Sequence, residues 1–236
     1  ALPISIASSL TMDGRIVTLS RQEYPGKGTR QYMTMRIDGT KSELFYKGEQ
    51  GIFLMSRAWE SGDGRIYFIE SNEPAGAGNM IASVDFGHPL SSRETTYQSG
   101  DGHLHSLFPH DAGQLIVSYR RNDTEPFGLY LFDTATGEIS GELAEEEGSH
   151  LIEPVVRKTR TVPKQLPAIV DPSKEHGTFL CHDAAHSMLG IEEKKEDKET
   201  HRVQVFGPDE MLGEVPVEAD GSFYIEIDAD MPVRFQ

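Results

Sequence analysis

At 236 residues with 37% apolar content, 23 Gly and 13 Pro, the chain is large enough for one all-β domain or two smaller ones joined by many turns. Its formal charge of -16, from 38 acidic against 22 basic residues, disfavours nucleic-acid binding, which normally requires a basic face. The apolar runs are too short to span a membrane, and the single cysteine, Cys181, leaves no partner for an internal disulfide.

The first recurring pattern is a turn feeding a run of strand residues. Met12-Asp13-Gly14-Arg15-Ile16-Val17-Thr18-Leu19 returns as Gly62-Asp63-Gly64-Arg65-Ile66-Tyr67-Phe68-Ile69, and again, more weakly, as Asp111-Ala112-Gly113-Gln114-Leu115-Ile116-Val117-Ser118. The glycines at 14, 64 and 113 are 50 and 49 residues apart. A second marker keeps step. Strands at Gln31–Ile37, Asn79–Val84 and Gly128–Phe132 run into Asp38, Asp85 and Asp133, which are 47 and 48 apart. A first strand before each turn (Ile4–Ile6, Ile52–Met55, Leu104–Leu107) and an outer strand (Glu43–Tyr46, Arg93–Tyr97, Glu138–Leu143) complete three four-stranded units. The second strands are nearly continuous apolar runs, which suits strands covered on both faces.

This pattern resembles the TolB-like and WD40-like propeller repeat, over roughly residues 4–150. The resemblance implies a partial β-propeller of three blades, fewer than a closed ring needs. The missing blades are expected from the rest of a longer chain or from a partner, and the N-terminal Ala1 reads as processed or cut from something longer.

Residues 153–175 change character. Pro154, Pro163, Pro167 and Pro172 lie among Arg157, Lys158, Arg160 and Lys164, which predicts an extended linker or a strap pinned against acidic blade edges, with contact to an anionic partner as the alternative. The expected division is therefore propeller-like blades over 1–152, linker or strap over 153–175, and a small β domain over 176–236. In that last part Gly177–Cys181, Arg202–Phe206, Gly213–Val217 and Asp220–Ile227 read as strands, and the eight charged residues Glu192–Glu199 read as a solvated insertion.

The stretch Gly177–Cys181, then Gly213–Phe223 running into Pro232–Gln236, resembles the middle domain of the hydrazine synthase alpha subunit, over about residues 165–236. The resemblance implies an extracytoplasmic (periplasmic or secreted) protein and a haem motif C-x-x-C-H beyond residue 236. It also implies that Cys181 sits near a metal and haem centre. An immunoglobulin-like or transthyretin-like sandwich is the structural rival.

Two sets of residues carry candidate chemistry. Cys181, His182 and His186 offer a thiolate and two imidazoles as metal ligands, the histidines four apart so that a helical turn would put them on one face; the alternative is a packed thiol at a strand end. His103 and His105 alternate to one side of an inner strand and suit a metal or an anion in a central channel, whereas His110 lies about 16 Å of extended chain beyond His105, too far to share a metal. The loops between second and third strands would gather Arg21, Glu23, Asn72, Glu73, Arg120 and Arg121 with His103 and His105 on one rim, where propellers bind ligands. Solvated loop decoration is the bland alternative. No nucleophile-elbow, P-loop, zinc-protease or dinucleotide motif is present. The expectation is a binding or scaffold protein for a small molecule, glycan or protein. A haem- or metal-dependent redox fragment is the alternative, with no cofactor inside this chain other than a metal at Cys181.

Overall fold

A computed structural model describes residues 3–22, 28–111, 113–184 and 202–236. These residues are all-β, contain no helix, and form several small antiparallel sheets. The chain makes two compact units, residues 1–169 and 170–236.

In the first unit β1 (Pro3–Leu10), β2 (Arg15–Gln22), β3 (Arg30–Arg36) and β4 (Glu43–Tyr46) form one sheet in chain order. The second sheet pairs β5 (Phe53–Leu54) with β7 (Arg65–Ser71), then β8 (Met80–Asp85) and β9 (Glu94–Gln98), and β6 (Trp59–Glu60) also pairs with β7. The third runs β10 (His103–Asp111), β11 (Gln114–Arg120), β12 (Gly128–Asp133) and β13 (Glu138–Ala144). These are three blade-like meanders, as the repeat predicts.

Strand β7 explains why the second strands are apolar throughout. Ile66 and Phe68 join a core with Val17, Leu19, Tyr32 and Tyr46 of the first sheet. Tyr67 and Ile69, on the other face, join Leu104, Leu115, Val117 and Phe132 of the third. Period-two alternation survives, but each face meets a neighbouring sheet rather than water.

Three departures from the expected strands matter below. The second inner strand is broken between Leu54 and Trp59. The outer two inner strands are continuous but bulged, between Ser5 and Ala7 in β1 and between Leu104 and Ser106 in β10. His110, placed past the strand by its pattern, lies inside β10, because a second irregularity between Pro109 and Asp111 absorbs the proline.

After β13 the chain turns inward and then travels along the sheets. The Leu151 amide donates to the Phe127 carbonyl and Ser118 Oγ donates to the Leu151 carbonyl; the Glu153 amide donates to Ser106 Oγ. Farther on, Lys158 Nζ lies 3.2 Å from Asp111 and the Arg160 guanidinium covers the Phe108 ring. The Lys164 amide donates to the Met12 carbonyl, Arg36 donates to the Pro167 carbonyl, and the Ile169 amide to Asp38 Oδ2. The proline-rich segment thus lies across the ends of sheets one and three that carry the turns at Gly14 and Gly113.

The second unit holds β14 (His176–Cys181) paired with β17 (Phe223–Asp228), and a sheet in the order β16 (Met211–Pro216), β15 (Arg202–Phe206), β18 (Arg234–Phe235). Val203, Val205, Phe223 and Ile225 form its core. Pro216 is tolerated because β16 is an edge strand. The charged run 192–199 lies outside the described residues.

Candidate functional site

The position eight residues before each turn glycine is Ile6, Ser56 or His105. At all three the inner strand loses regular pairing. In β1 and β10 the extra residue of the bulge is Ile6 and His105 respectively; in the second sheet Ser56 lies in the break. A bulge re-aims the side chain it carries. All three residues line one cavity of about 350 Å³, together with Arg30, Arg57 and Glu153.

Each wall has a local cause. Ser56 Oγ accepts the Ile69 amide and donates to the Arg57 carbonyl, so a side chain replaces the missing ladder bonds. The Tyr32 hydroxyl donates to the Ser56 carbonyl at 2.7 Å and fixes the break from the neighbouring sheet. Arg30 Nη1 donates to the Leu54 carbonyl at 3.2 Å. Gly78 closes the wall by exchanging both backbone bonds with Leu104; a β-carbon on it would fall 2.0 Å from Ile69 Cγ2, so only glycine fits.

The electrostatics of this trough are unlike those of the chain as a whole. Arg30 and Arg57 face it with one carboxylate, Glu153, whose Oε2 is 3.7 Å from Arg57 Nη1. Arg57 Nε and His105 Nδ1 are buried with no hydrogen-bond partner in the protein. Buried polar groups left unpaired cost free energy, which a water or a ligand can relieve.

Beside the trough, Phe127 gathers several of the rim residues. His105 packs edge-on to its ring at 5.6 Å, the Arg120 guanidinium lies 4.8 Å over it, and His150 sits 5.6 Å away. His103 and Arg120 are register partners across β10 and β11, and Asp123 bridges them, 3.2 Å from His103 Nε2 and hydrogen-bonded to Arg120 Nη2. His103 and His105 therefore engage different partners.

The remaining predicted rim residues divide. Arg21 is the register partner of Arg30 across β2 and β3, beside the trough. Asn72 and Glu73 are exposed in the turn after β7, and Glu23 lies outside the described residues. Arg121 turns away, with its guanidinium 5.8 Å over Tyr130 and 3.9 Å from Glu125. There it lines a second, open cavity of about 570 Å³ with Tyr97, Tyr119 and Glu142. Arg57 and Glu153 were not singled out from the sequence. The signal that finds Arg57 is the repeat phase, one residue after the Ile6, Ser56 and His105 position; nothing local marks Glu153.

In the second unit Cys181 packs against the core of Val203, Val205, Phe223 and Ile225. His182 follows it, exposed, and His186 lies outside the described residues. Among the described residues no group of three His, Cys, Asp or Glu side chains is placed to hold a metal.

Fold and site together define an all-β, propeller-like protein with a polar trough against its inner strands. No protein-family profile matches the sequence, and no curated protein matches it. Among solved structures the chain is similar to hydrazine synthase of Kuenenia stuttgartiensis, at 19% identity and a TM-score of 0.59, over 98% of this chain and 39% of that one. Weaker likenesses are a Mycobacterium tuberculosis puromycin-hydrolyzing peptidase (17% identity, TM-score 0.41, 59% of this chain and 20% of that one) and a puromycin hydrolase (18%, 0.45, 62% and 23%). At such identities the hydrazine synthase likeness concerns the fold alone. The chain spans under two fifths of that protein's length.

Proposed function

We propose that the first unit is the ligand-binding part of an extracytoplasmic propeller-like binding protein, and that its ligand is a small molecule held in the trough of Arg30, Arg57, His105 and Glu153. The observation that carries this is the meeting of two arginines, Arg30 and Arg57, with one carboxylate, Glu153, and the His105 ring on one cavity of ligand size. In this reading the rim residues Arg21, His103 and Arg120 serve as its entrance. Calorimetric titration with a panel of small carboxylates, phosphates and sugars tests the reading. Arg57→Met is expected to weaken the bound compound at least tenfold, and Arg121→Met to leave it unchanged. Binding that ignores Arg57→Met, or no binding across the panel, overturns it.

A redox role, with haem supplied beyond this chain and a metal near Cys181 and His182, is the second reading, supported by the fold likeness to hydrazine synthase. Elemental analysis of the purified protein against Cys181→Ala tests it. A parent protein without stoichiometric metal would end that proposal.

A further inference from the structure

Glu153 reaches the trough in an unusual way. It is one of three non-glycine residues described with positive φ (51°), a backbone region that residues with a β-carbon avoid. Of the three, Glu153 is the one that lines this cavity. Its amide is tied to Ser106 Oγ at 2.8 Å and Leu151, two residues back, is tied at both its amide and its carbonyl. The segment is pinned so that the Glu153 carboxylate enters a cavity walled by two arginines.

That carboxylate does not complete the site. At 3.7 Å from Arg57 Nη1 it lies beyond hydrogen-bond distance, and half of its side chain remains exposed. Arg57 Nε, the other edge of the same guanidinium fork, has no partner. A guanidinium prefers a carboxylate that accepts from two of its nitrogens, so Arg57 is held partly neutralised and geometrically unsatisfied. A free carboxylate would gain two short charge-assisted bonds where Glu153 makes one long contact. His105 lines the same cavity.

Resting on the trough reading above, we infer that the ligand is a small carboxylate, and that its carboxylate displaces Glu153 from Arg57. The strap is then a built-in competitor that sets the affinity and excludes weak anions. An exposed contact of this length is cheap to break, whereas a bidentate bond in a half-buried cleft is not.

The test is a low-salt calorimetric comparison of succinate and inorganic phosphate on the whole chain. It uses wild type, Glu153→Gln, Arg57→Met, and Glu218→Gln, which removes the same charge from an exposed turn of the second unit. Succinate is expected to bind wild type, to bind Glu153→Gln about tenfold more tightly, to be unchanged by Glu218→Gln, and to be lost with Arg57→Met. Equal affinity for wild type and Glu153→Gln overturns the displacement. Equal tightening by Glu218→Gln reduces it to a net-charge effect and also overturns it. Phosphate binding more tightly than succinate, or a neutral compound binding in an Arg57-dependent way while succinate does not, overturns the carboxylate class and leaves the trough reading standing. A ligand insensitive to Arg57→Met sinks both.

Discussion

A β-carbon placed on Gly14 would lie 2.0 Å from the carbonyl oxygen of Lys164, so the first Asp-Gly turn is the seat on which the proline-rich segment rests. The equivalent Gly64 has nothing within 4 Å. Both glycines have positive φ, 89° and 81°, so both turns need glycine for their backbone; only one needs it for space as well. Gly64→Ala is expected to cost about 1–2 kcal/mol from the left-handed backbone alone. Gly14→Ala adds an overpacking cost of about 1–3 kcal/mol and should lift the strap. Urea denaturation gives the difference, and limited trypsin digestion reports lifting as faster cleavage at Arg157, Lys158, Arg160 and Lys164. Equal behaviour of the two variants would contradict the seat.

Glu70 is fully buried, and the Arg93 guanidinium donates to its Oε2 from Nε at 3.1 Å and Nη2 at 2.6 Å, while the Tyr46 hydroxyl reaches Oε1 at 3.3 Å. Burial pushes the Glu70 carboxyl above its ordinary range, and Arg93 and Tyr46 pull it back only in part. Burial also works against the charge of Arg93, but the hydrogen bond and charge of Glu70 outweigh it. A carboxyl raised in the folded state adds stability that is fully present below its unfolded value and fades as pH rises through its folded one. Arg93→Met strands the carboxylate and should cost about 3 kcal/mol at pH 7. The deficit should shrink as pH falls from 7 through the carboxylate range, because Glu70 then takes up a proton. Thermal unfolding of both proteins across that range decides it; a pH-independent difference would show that the pair is not what holds Glu70.

Asp38 is lowered by the Thr40 hydroxyl and amide and, more weakly, by the Ile169 amide. A lowered carboxyl stabilises above its unfolded value, and that contribution is lost as pH falls through the folded one. Hydrogen exchange at the Ile169 amide should therefore lose protection on acidification below about pH 4, the ordinary range for Asp. In Asp38→Ala protection should be low and flat. A wild-type amide no better protected at pH 7 than that of Asp38→Ala would show that this carboxylate does not tether the strap.

In the second unit the Phe235 ring stacks on Phe179 at 4.6 Å and lies 5.8 Å from Phe223, joining the two small sheets. Phe235→Ala is expected to cost this unit about 2 kcal/mol, less than a fully buried ring because Phe235 is half-buried. Faster exchange at the paired amides of Phe179 and Ile225 would register it. Unchanged exchange would mean that the ring cluster does not brace β14 and β17.

The sequence by itself determined the three meanders. A turn of fixed chemistry and a strand of alternating residues are local facts, legible within eight or nine residues, and their recurrence at 50 and 49 residues makes them a repeat. It also placed His103, His105 and Arg120 near one another, because they share one hairpin. Only the tertiary structure decided which copy of the turn carries the strap, since Gly14 and Gly64 look alike until Lys164 arrives from 150 residues away. It alone joined Ile6, Arg57, His105 and Glu153, which lie roughly 50 residues apart along the chain. Bulges and a strand break leave no mark in a pattern of alternating polarity. They are set by what packs on the other side, the Tyr32 hydroxyl on the Ser56 carbonyl among them, and such contacts exist only once the sheets have closed on one another.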